Sequence, residues 1–204
     1  MRKLSQLISV VLHPVFVPLA AVIIFFYKLP IYFDSAIIYS KIIATLIISV
    51  FLPLVFLYFF RTLRLISSFE LPTAKERRLP LLFFMMLDLV IINYIFELYN
   101  YQYLFYFFWS LLLASMVVFI ALFFRFKISL HSLGMSSLLT FLIILSFNFQ
   151  LNFIYTIAFL VVCLGLVSSS RLILKAHIPS EVIFGVVLGI VTQLTIPIFK
   201  YYKM

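Results

Sequence analysis

Long apolar runs, broken only by short polar or charged stretches, fill the chain from end to end. A helix rising about 1.5 Å per residue needs about 20 apolar residues to cross a hydrocarbon core about 30 Å thick. Runs near that length cover 4–27, 37–60, 80–98, 103–124, 132–148, 153–170 and 178–199. They are too continuous and too long for barrel strands, in which apolar and polar residues alternate over about 10 residues. The pattern predicts an all-α, polytopic transmembrane bundle of six to seven helices. It forms a single domain over 1–204, without internal repeat, linker or low-complexity tract. The first run carries Arg2 and Lys3 as a secretion signal does, but it is too long and no small-x-small cleavage site follows it. His13-Pro14 and Pro18 interrupt it, so it is expected to be kinked or re-entrant, which leaves six or seven crossings open.

Composition narrows the class further. Apolar residues make up 66% and charged residues 10%, against roughly 45–50% and about 25% in soluble domains. That excludes a soluble globule, which lacks surface residues here, and a disordered chain. The lone cysteine, Cys163, excludes a disulfide scaffold. A net charge of +9 on a membrane protein points to the bilayer, anionic lipid or a phosphate-bearing substrate as partner, and not to nucleic acid. No His, Cys and carboxylate cluster has metal-ligand spacing, so no metal or other cofactor is expected. Gly185 and Gly189, four apart on the last run, predict close packing of another helix.

The charges fall mainly in three connections. Residues 61–79 hold Arg61, Arg64, Glu70, Lys75, Glu76, Arg77 and Arg78; the second connection holds Arg125 and Lys127, followed by Ser129, His131 and Ser132; the third holds Ser170, Arg171, Lys175, His177 and Glu181. Two crossings separate each from the next, so all three are expected on one membrane face. Lys28, Lys41, Lys200 and Lys203 fall on the other, counting seven crossings. The positive-inside rule alone places the basic face in the cytoplasm. Setting aside Lys75, Arg77, Arg78, Lys127, Arg171 and Lys175 as residues of an anionic site nearly evens the two faces, and charge then leaves the orientation open.

The sharpest stretch is Ser170-Arg171-Leu172-Ile173-Leu174-Lys175-Ala176-His177-Ile178-Pro179-Ser180-Glu181. His177 and Glu181, spaced i, i+4, share one face of a helical turn. Pro179 suits the first turn of the last helix. A carboxylate that accepts from one imidazole nitrogen fixes the tautomer and leaves the other nitrogen nucleophilic. Free N–H groups at the helix start favour an anion, and Arg171 offers a bidentate fork for phosphate oxygens. His131 is the second histidine with polar company.

Residues 170–181 resemble the third motif of the type 2 phosphatidic acid phosphatase (PAP2) superfamily, which is Ser-Arg, five residues, His, three residues, Asp. Glu181 stands in the Asp position. Lys127-Ile128-Ser129-Leu130-His131-Ser132 keeps the Ser and His of the second motif, Pro-Ser-Gly-His, and is similar to the Lys-Ile-Ser-x-His run of a divergent bacterial branch. Lys75-Glu76-Arg77-Arg78-Leu79-Pro80 is a degenerate form of the first motif, with Leu71 where the motif's register wants a lysine. The resemblance spans about 75–190, inside a motif-bearing core of about 61–199. It implies a PAP2-like membrane phosphatase acting without metal on a lipid phosphate or polyprenyl diphosphate. His177 would attack phosphorus to form a phosphohistidine, Glu181 would orient it, and His131 would protonate the leaving oxygen. Arg171, Arg77, Arg78 and Lys127 would hold the phosphate, with Ser129 and Ser170 adding hydrogen bonds. It also implies a bacterial inner membrane, with the site on the outer face.

Two other readings stand beside it. One is a non-catalytic PAP2-like protein that keeps an anion-binding face. The other is a small transporter built on Asp88, an intramembrane carboxylate whose plain role is a hydrogen bond to a neighbouring Tyr, Asn or Ser. Glu97 is expected at an interface, His13 in a kink, and Cys163 inert within its helix.

Overall fold

The computed structural model describes residues 2–201, with side chains as far as Thr195; Lys203 and the side chain of Lys200 lie outside the described residues. The fold is all-helical, with no strand among those residues. Its helices are α1 (Arg2–Val11), α2 (Val17–Lys28), α3 (Ser35–Leu46), α4 (Leu52–Thr62), α5 (Ala74–Val90), α6 (Gln102–Ala121), α7 (Leu130–Phe149), α8 (Ile154–Ile173) and α9 (Pro179–Tyr201). Six helical segments among the described residues are long and apolar enough to cross a membrane: Arg2–Lys28, Ser35–Thr62, Ala74–Ile95, Gln102–Phe124, Leu130–Phe149 and Ile154–Ile173. The described part of α9, Pro179–Thr195, is a shorter apolar helix.

Local chemistry explains where the helices depart from the apolar runs. The third segment starts at Ala74, ahead of the expected 80, because Thr73 Oγ1 accepts from the Glu76 N–H at 3.3 Å and donates to the Glu76 carboxylate at 2.9 Å. That cap carries the helix through the charged residues, and Pro80 lies inside it. In the second segment a π-helical turn, Ile47–Phe51, precedes Pro53 and accommodates the proline, which has no N–H to donate. The first segment is broken, as His13-Pro14 predicts: His13 is extended (φ −69°, ψ 137°), and a 3-10 turn, Pro14–Phe16, leads into α2.

The helices cluster into two compact units, 1–17 with 128–204 and 18–127. In the first, α7 is the central helix, packed against α9 and α8, and α1 lies along α8. A Cβ on Gly185 would come within 2.6 Å of the Ser129 carbonyl oxygen, and one on Gly189 within 2.5 Å of the Leu133 carbonyl oxygen. The paired glycines therefore let the α9 backbone rest on α7, as their spacing predicts. The second unit is filled by aromatic rings: Phe25, Phe96, Phe107 and Phe108 are fully buried, and Phe56 stacks on Phe83.

Four helix ends close with a residue in the left-handed region: Arg64, Arg125, Gln150 and Lys175 (φ 57°, 59°, 52° and 54°). At each, the next N–H reaches back to the helix, as from Leu65 to Phe60, Phe126 to Ala121, Leu151 to Ser146 and Ala176 to Arg171. Glycine usually takes this position, yet none of the glycines has a positive φ. Three of the four closing residues are basic and sit where the helix dipole favours a cation.

Candidate functional site

The first unit gathers His13, His131, Arg171, His177 and Glu181. Its anchor is the start of α9. Pro179 opens the helix, and the Glu181 carboxylate in its first turn accepts from His177 Nδ1 at 2.9 Å and from the Ile178 N–H at 3.3 Å. The second bond satisfies one of the unpaired amides of the helix start. Both side chains are buried, at 7% and 5% exposure for the two residues. A carboxylate only accepts, so Nδ1 of His177 is the protonated nitrogen and Nε2 presents its lone pair.

Two backbone features bring His177 and His131 together. The Ser129 N–H donates to the Glu181 carbonyl oxygen at 3.0 Å, tying the start of α7 to the first turn of α9. Gly185, one turn on from Glu181, admits Ser129 and Ser132 of α7 against its backbone. Ser129 caps α7, its hydroxyl accepting from the Ser132 N–H at 3.4 Å and from the Ser132 hydroxyl at 3.1 Å. Ser132 and Ser168 hydroxyls then meet at 3.3 Å between α7 and α8. His131 follows in the first turn of α7, within electrostatic reach of His177.

Arg171 lies in the last turn of α8. The closing turn bonds Lys175 N–H to Leu172 and Ala176 N–H to Arg171, and it returns the chain to His177. From there the guanidinium acts electrostatically on both His131 and His13. Ser170 is buried beside it, but its hydroxyl donates to the Leu166 carbonyl of its own helix at 2.8 Å.

The remaining expected phosphate ligands belong to the second unit and are engaged there. Arg77 Nε donates to the Leu71 carbonyl at 2.9 Å. Arg78 donates to the Leu122 carbonyl at 3.2 Å, with its guanidinium 4.2 Å from the centre of the Phe123 ring. Lys127 Nζ donates to the Pro72 carbonyl at 3.2 Å. Asp88 lies in α5, and no hydrogen bond to its carboxyl is found among the described residues, against the expected Tyr, Asn or Ser partner. Glu97 is exposed and accepts from Asn100 at 3.2 Å.

His13 is the residue that the sequence reading left in the kink and that the structure adds to the site. It does occupy the bend, its Nδ1 accepting from the Val15 N–H at 3.3 Å. Its ring also meets His131 edge-on, with centroids 5.0 Å apart and planes at 83°. His131 Nε2 in turn bonds the Ser9 carbonyl of α1 at 3.0 Å. The signal for this was present: Ser5, Ser9 and His13 recur at i, i+4, i+8 as a polar stripe in an apolar segment. No group of three or more His, Cys, Asp or Glu suited to a metal ion occurs among the described residues. No protein-family model matches the sequence, and comparison with curated proteins and with solved structures returns no match.

Proposed function

We propose that this chain is a PAP2-like membrane phosphatase that hydrolyses a lipid phosphate or diphosphate through a phosphohistidine. The observation that carries the reading is the buried His177–Glu181 pair at the start of α9, with His131 and Arg171 in electrostatic reach of one another. His177 Nε2 donates its lone pair to phosphorus, and the P–O bond to the lipid breaks as the P–N bond forms. Glu181 stabilises the charge that develops on the imidazole. His131, once it has taken up a proton at the nitrogen facing the substrate, gives it to the departing oxygen. Neutral again, it takes a proton from the water that attacks the phosphohistidine and releases inorganic phosphate. Arg171 stabilises the charge on the nonbridging oxygens. The apolar bundle keeps the acyl or isoprenoid tail in the bilayer while the polar cluster takes the headgroup.

Three substrates suit this reading: phosphatidic acid, phosphatidylglycerol phosphate and a polyprenyl diphosphate. The test is phosphate release from each by purified protein, wild type against His177→Ala, with acid-stable and base-stable fractions of the labelled protein separated. Expected are release from at least one lipid, a base-stable phosphoprotein, and loss of both in the variant by at least about 10³-fold. Equal activity in the two proteins overturns the reading. Placement in a bacterial inner membrane, with the site outward, is part of the same proposal. With the site outward, a Lys175→Cys variant in intact cells is expected to react with a membrane-impermeant maleimide, with little background from the buried native Cys163; no reaction overturns the outward placement.

A further inference from the structure

We infer that the amino-terminal helix α1 and the bend after it form the positioning element of His131: the Ser9 carbonyl selects which ring nitrogen holds the proton, and the His13 ring fixes the plane of the imidazole. The inference rests on the phosphohistidine reading for its catalytic consequence, and on geometry alone for its structural one.

A carbonyl oxygen only accepts, so the 3.0 Å contact makes His131 Nε2 the donor and leaves Nδ1 with the lone pair in the neutral ring. His177 is held the opposite way, with Nδ1 donating to Glu181 and the lone pair of the neutral ring on Nε2. The two imidazoles therefore offer different nitrogens, each selected by a protein acceptor on the far side of the ring. For His177 that acceptor comes from the first turn of α9, four residues on; for His131 it comes from α1, a segment more than 100 residues away in sequence.

The bend is built to deliver it. A residue before proline is driven out of the helical region, so α1 has to end ahead of His13-Pro14. The bend then seats on Gly134 of α7, one turn beyond His131. A Cβ at that glycine would stand 3.1 Å from Val17 Cγ2 and 3.4 Å from Pro14 Cβ. Glycine lets the bend sit this close, since a side chain there would have to push Val17 slightly back, and the bend brings the His13 ring against His131.

The polarity of α1 is the reverse of a soluble amphipathic helix. Leu4, Leu7, Val10 and Val11 are exposed, as suits lipid, while Ser5 and Ser9 are buried. The Ser9 hydroxyl is buried with no hydrogen-bond partner among the described residues. Small residues on the inner face let α1 lie close along α8, and the Ser9 carbonyl on that face is the one that meets His131.

The test uses the full chain with 15N-labelled histidine, of which there are three, in wild type, His13→Asn and His13→Ala; His131→Asn assigns the His131 signal. Asparagine keeps an acceptor for the Val15 N–H and so preserves the bend, but removes the ring. Wild type and His13→Asn, in which the bend and the Ser9 carbonyl stay in place, are expected to show His131 protonated at Nε2, and His13→Ala, which loses the cap on the Val15 N–H, to show an averaged tautomer. Turnover is then compared on a lipid phosphate, whose alkoxide needs a proton to leave, and on an aryl phosphate, whose phenolate does not. His13→Asn is expected to slow the lipid phosphate at least about 10-fold more than the aryl phosphate. A His131 tautomer that is averaged in wild type or unchanged in His13→Ala, or equal losses of His13→Asn on the two substrates, overturns the inference. Activity that does not differ between wild type and His177→Ala overturns the phosphatase reading instead, and the tautomer signals still decide the positioning role.

Discussion

In the unit that carries His177, helices meet through serine, threonine and glycine; in the unit of residues 18–127 they meet through phenylalanine. Ser129 at the start of α7, and Ser132, Ser136, Ser137 and Thr140 within it, are all buried, and Gly185 and Gly189 of α9 lie against Ser129, Ser132, Ser136 and Ser137. The second unit buries Phe25, Phe96, Phe107 and Phe108 and keeps few polar groups inside. Those few are spent locally: Thr45, Ser49 and Ser110 each return a hydroxyl to a carbonyl one turn back in their own helix. In a bilayer, apolar side chains gain little by leaving lipid for protein, so close backbone approach and interhelical hydrogen bonds carry more of the packing. Small residues bring helix starts near one another, and helix starts are where unpaired N–H groups and ring nitrogens are available to a phosphate. Aromatic packing fills volume but holds backbones apart. The lesson is that the polar seam between α7 and α9 is both the tightest packing in its unit and the frame of the candidate site.

The sharpest way to break that view is Glu181. It accepts from His177 and from the Ile178 N–H, and its carbonyl takes the Ser129 N–H. Glu181→Ala removes only the side-chain part, so the α7–α9 tie survives while His177 loses its acceptor. Phosphate release is expected to fall by about 10³- to 10⁴-fold with the folded helix content unchanged by circular dichroism. Glu181→Asp, the residue of the PAP2 motif, is expected to keep far more activity than the alanine variant.

Arginines sharpen the comparison between the units. Arg171 acts on both His131 and His13 within the polar unit, whereas Arg78 is engaged by the Leu122 carbonyl and the Phe123 ring of the aromatic one. Arg171→Ala is expected to lower kcat/KM by about 10²-fold, the scale of losing one donor to the transition state. Arg78→Ala is expected to act chiefly on stability, lowering the melting temperature by the equivalent of about 1–2 kcal/mol, with a far smaller change in kcat/KM. A KM effect in Arg78→Ala as large as in Arg171→Ala shows that the first motif's arginines contact phosphate, as the resemblance implies.

Much of this was legible in the sequence because the bilayer imposes a simple rule on length and polarity. Continuous apolar runs gave the crossings, His13-Pro14 gave the break in the first one, and the i, i+4 spacing gave the His177–Glu181 pair. Helix ends were less legible: Ala74 starts its helix among charged residues because Thr73 and Glu76 cap it, a local bond that hydropathy does not register. The part that stayed hidden was long-range. Ser9 and His13 meet His131 only through folding, and their i, i+4 stripe was masked by the strong apolar signal around it. Ser170 shows a further local bond that hydropathy does not register: a serine inside a helix readily satisfies itself on the preceding turn.

Glycine gives the finest test, because the same substitution meets opposite surroundings along the chain. A Cβ at Gly189 would lie 2.5 Å from the Leu133 carbonyl and 2.9 Å from Ser137 Oγ, so Gly189→Ala has to push α9 away from α7. The expected cost is about 1–3 kcal/mol in a thermal or denaturant assay in detergent, as for other overpacked interiors. Activity is expected to fall with it, since the same seam holds the starts of both helices. Gly165, on α8, has nothing within 4 Å of where its Cβ would be. Gly165→Ala therefore costs no contact and removes backbone freedom from a helix interior, for an expected gain of at most about 1 kcal/mol with unchanged turnover. If Gly189→Ala proves as harmless as Gly165→Ala, the α7–α9 seam is looser than its glycines indicate, and close helix approach is not what brings His131 and His177 together.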